Sequence, residues 1–194
     1  MLRAAAMRCS PRVVLLAAAA CLLATASPLS AHATAAEGLK RFGGAAGFAG
    51  VAGSEGSYSG FGGALVADYG LTDAWALAAN VTATSNRVTP SGGRSLVLSQ
   101  AVGVDYALDV INIIPYFGLY GALYELRGGG LSKTTFKAGA QIALGLDYLV
   151  SRKLFIGLDI RLHALPADIL SNPDNPTPFY MTTFVRAMYA WGWY

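Results

Sequence analysis

The sequence is poor in the residues from which most catalytic and metal sites are built. It has two cysteines and two histidines among 194 residues, and 13% of its residues are charged. Both cysteines, Cys9 and Cys21, and the histidine His32 lie in the first 33 residues. If that segment is removed, the chain has no cysteine for a disulfide or a thiolate ligand, and His163 is its single histidine.

An excess of charge of one sign is also lacking. Arg3, Arg8 and Arg12 lie near the amino terminus, and the other eleven of the fourteen basic residues face eleven acidic residues. A chain that is near neutral after residue 33 has no electrostatic basis for binding nucleic acid, so we expect no nucleic-acid partner.

The amino-terminal segment predicts a secretory signal peptide. The three arginines precede an apolar run over residues 13–26, and Ala31-His32-Ala33 fits the small-residue cleavage pattern. We predict a signal peptide over 1–33, a short periplasmic segment over 34–38 and one domain over 39–194, with cleavage after Ala35 as the alternative. No later apolar run is long enough for a membrane-spanning helix, which leaves secretion, the periplasm or the outer membrane.

Residues 136–164 carry the clearest secondary-structure signal. Apolar residues alternate with small or polar ones on both sides of a tight turn at Ser151-Arg152-Lys153. A period of two indicates β-strands with two unlike faces, because successive side chains of a strand point to opposite sides.

The less apolar face of this hairpin decides between two kinds of barrel. A soluble barrel would cover that face with charged residues, but here it is mostly glycine and alanine. In a membrane barrel the apolar face meets lipid, while small or polar residues fill the interior. We therefore predict that Leu144, Leu146, Ile156 and Leu158 face lipid. A soluble lipocalin-like binder, with these side chains inside, is the alternative.

The same alternation predicts eight strands along the chain. They are expected at residues 39–51, 58–69, 74–84, 95–108, 111–126, 136–150, 154–164 and 179–194. Longer polar loops are expected after the first, third, fifth and seventh strands, and tight turns after the others, as in outer-membrane barrels. The predicted fold is all-β: an eight-stranded antiparallel up-and-down transmembrane β-barrel after a cleaved signal peptide.

A six-residue repeat occurs at Ala64–Tyr69, Ala101–Tyr106 and Ala143–Tyr148, each time before a tight turn. We expect its aspartate to point into the barrel and its tyrosine to lie at the membrane interface, where amphipathic rings are favoured. The predicted lumen polar network comprises Asp68, Asp105, Asp147, Asp159, Arg161 and Arg186. The predicted interface aromatics are Tyr69, Trp75, Tyr106, Tyr148, Tyr189, Trp191 and Trp193.

Little in the sequence predicts chemistry. A barrel enzyme acting on lipid would need a serine beside His163, but the positions that share its face nearby hold Arg161 and Leu165. We predict no catalytic residue, no metal site and no cofactor. A solvated acidic loop with Asp168 and Asp174 is preferred to a weak cation site there.

In these features the chain resembles the small outer-membrane β-barrel family with OmpA-, OmpX- and OmpW-like members. The resemblance rests on the turn Tyr69-Gly-Leu-Thr-Asp-Ala-Trp75, the strand Pro115-Tyr-Phe-Gly-Leu-Tyr120, the repeats and the aromatic carboxy-terminal strand. It implies the outer membrane of a Gram-negative bacterium, contact with outer-membrane lipid, and recognition of the last strand by the barrel assembly machinery.

For function, the sequence favours a non-enzymatic structural or surface-interaction protein whose external ligand is open. The alternative is an OmpW-like narrow conduit for small, hydrophobic molecules. A lipid-modifying barrel enzyme is a third hypothesis.

Overall fold

The chain folds into a closed barrel of eight antiparallel strands. The computed structural model describes residues 36–53, 56–87, 93–108, 112–128, 133–164 and 179–192. The strands are β1 (Lys40–Gly53), β2 (Gly56–Gly70), β3 (Trp75–Arg87), β4 (Arg94–Ala107), β5 (Ile113–Gly128), β6 (Thr135–Ser151), β7 (Leu154–Ala164) and β8 (Phe179–Trp191). Each strand pairs with the next, and β1 pairs with β8. The predicted fold class and strand order are confirmed, and the predicted leader lies outside the described residues.

Two details of the predicted strands are wrong. Pairing of β1 with β2 continues to Gly53 opposite Gly56, beyond the predicted strand ends at residues 51 and 58, because each added pair contributes ladder hydrogen bonds. At the other end β8 stops at Trp191 instead of Tyr194. Gly192 has a φ of 101°, which is incompatible with continued extended backbone.

The outer wall of the barrel is apolar along most of its height. Val102 and Val185 are each 60% exposed, and Leu144 and Leu158 are 50% and 45% exposed. Exposed side chains alternate with buried ones along every strand, as a period of two requires. A wall of this composition needs a hydrocarbon environment. The soluble alternative is contradicted, because the apolar face lies outside. No helix in the described ranges is long and apolar enough to cross a membrane.

Inward glycines make room for the rings that fill the interior. Tyr116 on β5 lies opposite Gly145 on β6, and a Cβ at residue 145 would collide with the tyrosine ring. Tyr120 lies in the same way opposite Gly103 on β4. A ring that covers a cross-strand glycine is a recurrent device for pinning register in curved sheets. The small residues of the inner face are therefore a packing requirement of the narrow barrel.

Candidate functional site in the barrel interior

The end of the barrel nearest the short turns contains a layer of buried charges. We call it the charged layer, and each of its side chains is at most 5% exposed. Its members are Arg41, Asp68, Asp105, Asp147, Asp159, Arg161 and Arg186. All six residues of the predicted lumen network lie in this layer, and Arg41 is an additional member.

Ion pairs connect the members of the charged layer. The Arg186 Nε donates to Asp147 Oδ1 at 2.7 Å, and its Nη2 donates to the other oxygen of the same carboxylate. Arg161 donates to Asp159 through Nη2 at 2.6 Å and Nε at 3.0 Å. Two-point contact between a guanidinium and a carboxylate fixes orientation as well as charge.

Some of these pairs cross the lumen. Arg186 on β8 binds Asp147 on β6, and Arg41 Nη1 on β1 lies 3.8 Å from Asp147 Oδ2. Arg41 Nη2 also lies 3.0 Å from Asp68 Oδ2 on the neighbouring strand. β1 and β6 lie three strands apart around the closed barrel, so the pair of Arg41 with Asp147 reaches across the lumen, whereas Arg186 reaches Asp147 over the single strand β7.

Each arginine of the layer also lies over an aromatic ring. The guanidinium carbon of Arg186 is 4.0 Å from the centroid of Tyr116. The corresponding distances are 5.4 Å from Arg161 to Tyr120 and 5.7 Å from Arg41 to Phe155. Such stacking stabilises a cation that has lost its water. Two of these rings, Tyr116 and Tyr120, are those that the inward glycines accommodate.

Asp105 is bound by a phenol. The Tyr120 hydroxyl donates a 2.5 Å hydrogen bond to Asp105 Oδ1, from the adjacent strand β5. Thus Tyr120 contacts two groups of opposite charge: its hydroxyl binds Asp105, and its ring lies beside the guanidinium of Arg161. The three repeat aspartates, Asp68, Asp105 and Asp147, are all buried in this one layer.

Nearer the loop end, the buried polar side chains of the interior are uncharged. We call this the neutral layer, and its members are buried. They are Asn80, Thr82, Thr84, Asn86, Ser99, Tyr124, Gln141, His163, Tyr180 and Thr182. Here too, hydrogen bonds cross the lumen. Asn80 Nδ2 on β3 donates to Gln141 Oε1 on β6 at 3.4 Å, and Thr84 on β3 shares a 2.5 Å bond with Tyr180 on β8.

His163 is part of this neutral hydrogen-bond network. Its Nδ1 is 3.1 Å from the Tyr124 hydroxyl, and its Nε2 is 3.2 Å from Thr182 Oγ1. It is 2% exposed and lies opposite Gln141 in the strand register. Both ring nitrogens are occupied by neutral hydroxyls, and no described serine or carboxylate binds them, so the arrangement of a nucleophile, a base and an acid is not formed.

The predicted interface aromatics lie on the outer wall at the short-turn end. Tyr148 is half-buried, whereas the others in the described part of the chain are exposed. The rings of Trp75 and Tyr106 lie 4.9 Å apart on paired strands, and those of Tyr189 and Trp191 lie 6.3 Å apart. Trp193 lies outside the described residues.

Sequence reasoning missed one side chain of the charged layer and the rings that lie beside the layer. It did not assign Arg41, nor the rings of Tyr116, Tyr120 and Phe155. Alternation along the strand indicates that these residues point inward. Arg41 precedes the outward Phe42, and Tyr116 and Tyr120 share the face opposite Phe117. Within the described residues there is no cluster of three or more potential metal ligands. The acidic loop with Asp168 and Asp174 lies outside those residues.

Comparison with known proteins identifies the family to which this chain belongs. A family model described as the outer membrane protein beta-barrel domain matches residues 17–184. The chain belongs to the outer membrane β-barrel family. As a member of this family, the protein is located in the outer membrane of Gram-negative bacteria. No curated protein sequence is significantly similar to it.

Several solved outer-membrane barrels share the fold. Neisserial surface protein A, NspA, superposes with a TM-score of 0.64 at 19% identity, covering 79% of this chain and 97% of that chain. Ail, the attachment invasion locus protein of Yersinia pestis, in complex with the heparin analogue sucrose octasulfate, gives 0.57 at 13%, covering 80% and 99%. OprG from Pseudomonas aeruginosa gives 0.58 at 13%, covering 83% and 99%. At these identities the likeness concerns the fold.

Proposed function

We propose that this outer-membrane barrel is a non-enzymatic structural protein whose loop end is presented at the cell surface. The observation that carries the proposal is the interior, which is bridged at two levels by side chains from strands on different sides of the barrel. Arg41 to Asp147 forms one bridge, and Thr84 to Tyr180 forms the other. A lumen filled in this way suits a scaffold better than a diffusion channel.

Two of the structural neighbours support a role at the surface. The solved structure of Ail is named for attachment and invasion and contains a heparin analogue, and NspA is named as a surface protein. The described residues at the loop end include the exposed Arg87, Arg94 and Lys133. We infer that the loop end meets external partners, and that the short-turn end lies in the periplasm.

Labelling of intact cells tests this orientation. Lys133 lies at the loop end and Lys153 lies in the turn between β6 and β7, and both are exposed. With a membrane-impermeant amine reagent, we expect modification of Lys133 but not of Lys153. Lysed cells, in which both should react, provide the control. Modification of Lys153 alone in intact cells would refute surface presentation of the loops.

Conductance of the purified protein in planar lipid bilayers tests the closed interior. We expect the wild type to show no steady conductance, because the crossing pairs fill the lumen. Arg186→Ser, which removes a buried side chain of the charged layer, should raise the frequency of brief openings, while Arg127→Ser at the exposed rim should not. A steady wild-type conductance would overturn the scaffold proposal.

A conduit for small hydrophobic molecules is a second candidate. It is favoured by a hollow of about 750 Å³ on the outer wall, where Leu65, Val81, Gln100, Val102 and Leu123 contribute to the lining. Gln100 is an outward-facing polar side chain near the middle of β4. Uptake of a small hydrophobic probe by cells with and without the protein decides between the candidates. If uptake depends on the protein and Gln100→Leu abolishes it, the conduit is preferred.

A further inference from the structure

Two arginines face each other directly at the loop end of the outer wall. Arg87, the last residue of β3, is the register partner of Arg94, the first residue of β4. Both side chains are exposed. Side chains directly opposite on antiparallel strands have Cβ atoms about 5 Å apart, and like charges in this position destabilise the hairpin. The sequence between them, Val-Thr-Pro-Ser-Gly-Gly, contains no acidic residue that could compensate.

A third arginine extends this patch onto the next strand. Arg127 on β5 is the register partner of Leu96, which follows Arg94 by two residues on the same face of β4. The Arg127 Nε donates to Glu125 Oε1 at 2.6 Å, and its side chain remains 58% exposed. Among the described residues, one carboxylate therefore compensates the three arginines, and the patch keeps an excess of positive charge.

The height of the patch places it at a membrane surface. Twelve residues separate Arg94 from Tyr106 along β4, and twelve separate Trp75 from Arg87 along β3. At about 3.4 Å per residue and a strand tilt of about 40°, this length spans about 31 Å along the membrane normal. The apolar band of such barrels is about 25 Å tall, so arginines at one end face the headgroup region when the rings at the other end lie in the opposite interface.

We propose that Arg87, Arg94 and Arg127 form a binding site for the phosphate groups of an outer-leaflet lipid. A phosphate offers several acceptor oxygens to guanidinium forks, and one such anion between Arg87 and Arg94 converts their repulsion into two attractions. The assignment of the leaflet rests on the orientation proposed above, which lysine labelling tests separately. Lipid binding itself does not depend on that orientation, so the two can fail independently.

Binding of fluorescent bis-phosphorylated lipid A to the detergent-solubilised protein tests the site. The variant is Arg87→Gln with Arg94→Gln, and its fold is checked by the mobility shift of unheated protein on a gel. We expect about fivefold weaker binding for each arginine removed, hence about 25-fold for the double variant. Raising the ionic strength should weaken wild-type binding more than binding by the variant, because fewer charges remain to be screened.

Three controls make the result specific. Arg152→Gln with Lys153→Gln removes two exposed charges from the opposite rim and should leave the affinity unchanged. Lipid A without its phosphates should bind the wild type no better than it binds the double variant. Inorganic phosphate at millimolar concentration should not displace lipid A, because one free anion lacks the neighbouring acyl chains that pack on the apolar wall.

Other outcomes would overturn the proposal. Equal affinity of the wild type and the Arg87/Arg94 variant would show that the patch is only a solvated rim. If the wild type binds dephosphorylated lipid A as tightly as phosphorylated lipid A, the acyl chains and not the phosphates provide the binding. Displacement by millimolar inorganic phosphate would indicate a site for a free anion. If the double variant does not fold, each single substitution provides the same comparison at about fivefold.

Discussion

The charged layer and the neutral layer fill one barrel by different means. In the charged layer, Arg186 and Asp147 are both about 1% exposed and neutralise one another over the intervening strand β7. In the neutral layer, Thr182 and His163 are equally buried but share a single hydrogen bond. A buried charge that loses its partner costs much more than a buried hydroxyl that loses one, because its desolvation is no longer compensated. The two layers should therefore respond very differently to loss of one partner.

The layers also differ in how closely their surroundings are packed. In the charged layer, Tyr116 covers Gly145 and supports the guanidinium of Arg186. In the neutral layer, longer hydrogen bonds, such as 3.5 Å from Gln141 Nε2 to Ser99 Oγ, connect side chains with less constraint. We infer that the charged layer sets the register of the barrel, while the neutral layer fills the remaining space.

The largest effect on the free energy of unfolding is expected from replacing Arg186. Arg186→Met keeps much of the side-chain volume but leaves Asp147 without its two-point partner, so we expect a loss of about 3–5 kcal/mol in the free energy of unfolding. Arg127→Met, which breaks an exposed ion pair, should cost at most about 1 kcal/mol. Denaturant unfolding from lipid bilayers, followed by tryptophan fluorescence, measures both. Similar losses in the two variants would contradict the distinction between buried and exposed pairs.

A smaller effect is expected from filling the space beneath a ring. Gly145→Ala would place a methyl group inside the ring of Tyr116, and overpacking of this kind costs about 1–3 kcal/mol. Gly121→Ala on the outer wall, where a Cβ has no heavy atom within 4 Å, is the matched control and should be tolerated. Unfolding from bilayers gives the comparison. If the barrel accepts both alanines equally, the glycine is not needed for the ring.

The smallest effect is expected in the neutral layer. Thr182→Val removes the hydroxyl bound to His163 Nε2, and loss of one such hydrogen bond costs about 1 kcal/mol. Thr183→Val, on the following residue of β8, changes a half-buried side chain of the outward face and should be neutral or slightly stabilising in lipid. A cost for Thr182→Val as large as that for Arg186→Met would show that the layers do not differ.

Much of this fold could be predicted from alternation. The outward Leu144 and Leu146 and the inward Asp147 followed from a period of two, because a strand sorts its residues by parity alone. Alternation was less informative in the glycine-rich β1, because both faces of this strand carry mostly small residues. Arg41 was accordingly missed, and so was the extension of the pairing between β1 and β2 to Gly53 and Gly56. No local pattern marks the end of β8 at Trp191, which coincides with the positive φ of Gly192.

The sequence by itself determined which side chains point inward, the number of strands and the apolar character of the wall. Tertiary structure decided which inward side chains meet. Asp147 binds Arg186 and not Arg161, which is nearer in sequence, because the register of β6, β7 and β8 places only Gly157, which has no side chain, between them. Likewise, Arg87 and Arg94 are separated by a loop in sequence but become direct neighbours through the β3–β4 register. Parity is a property of one strand, whereas pairing depends on the register and curvature of the closed sheet.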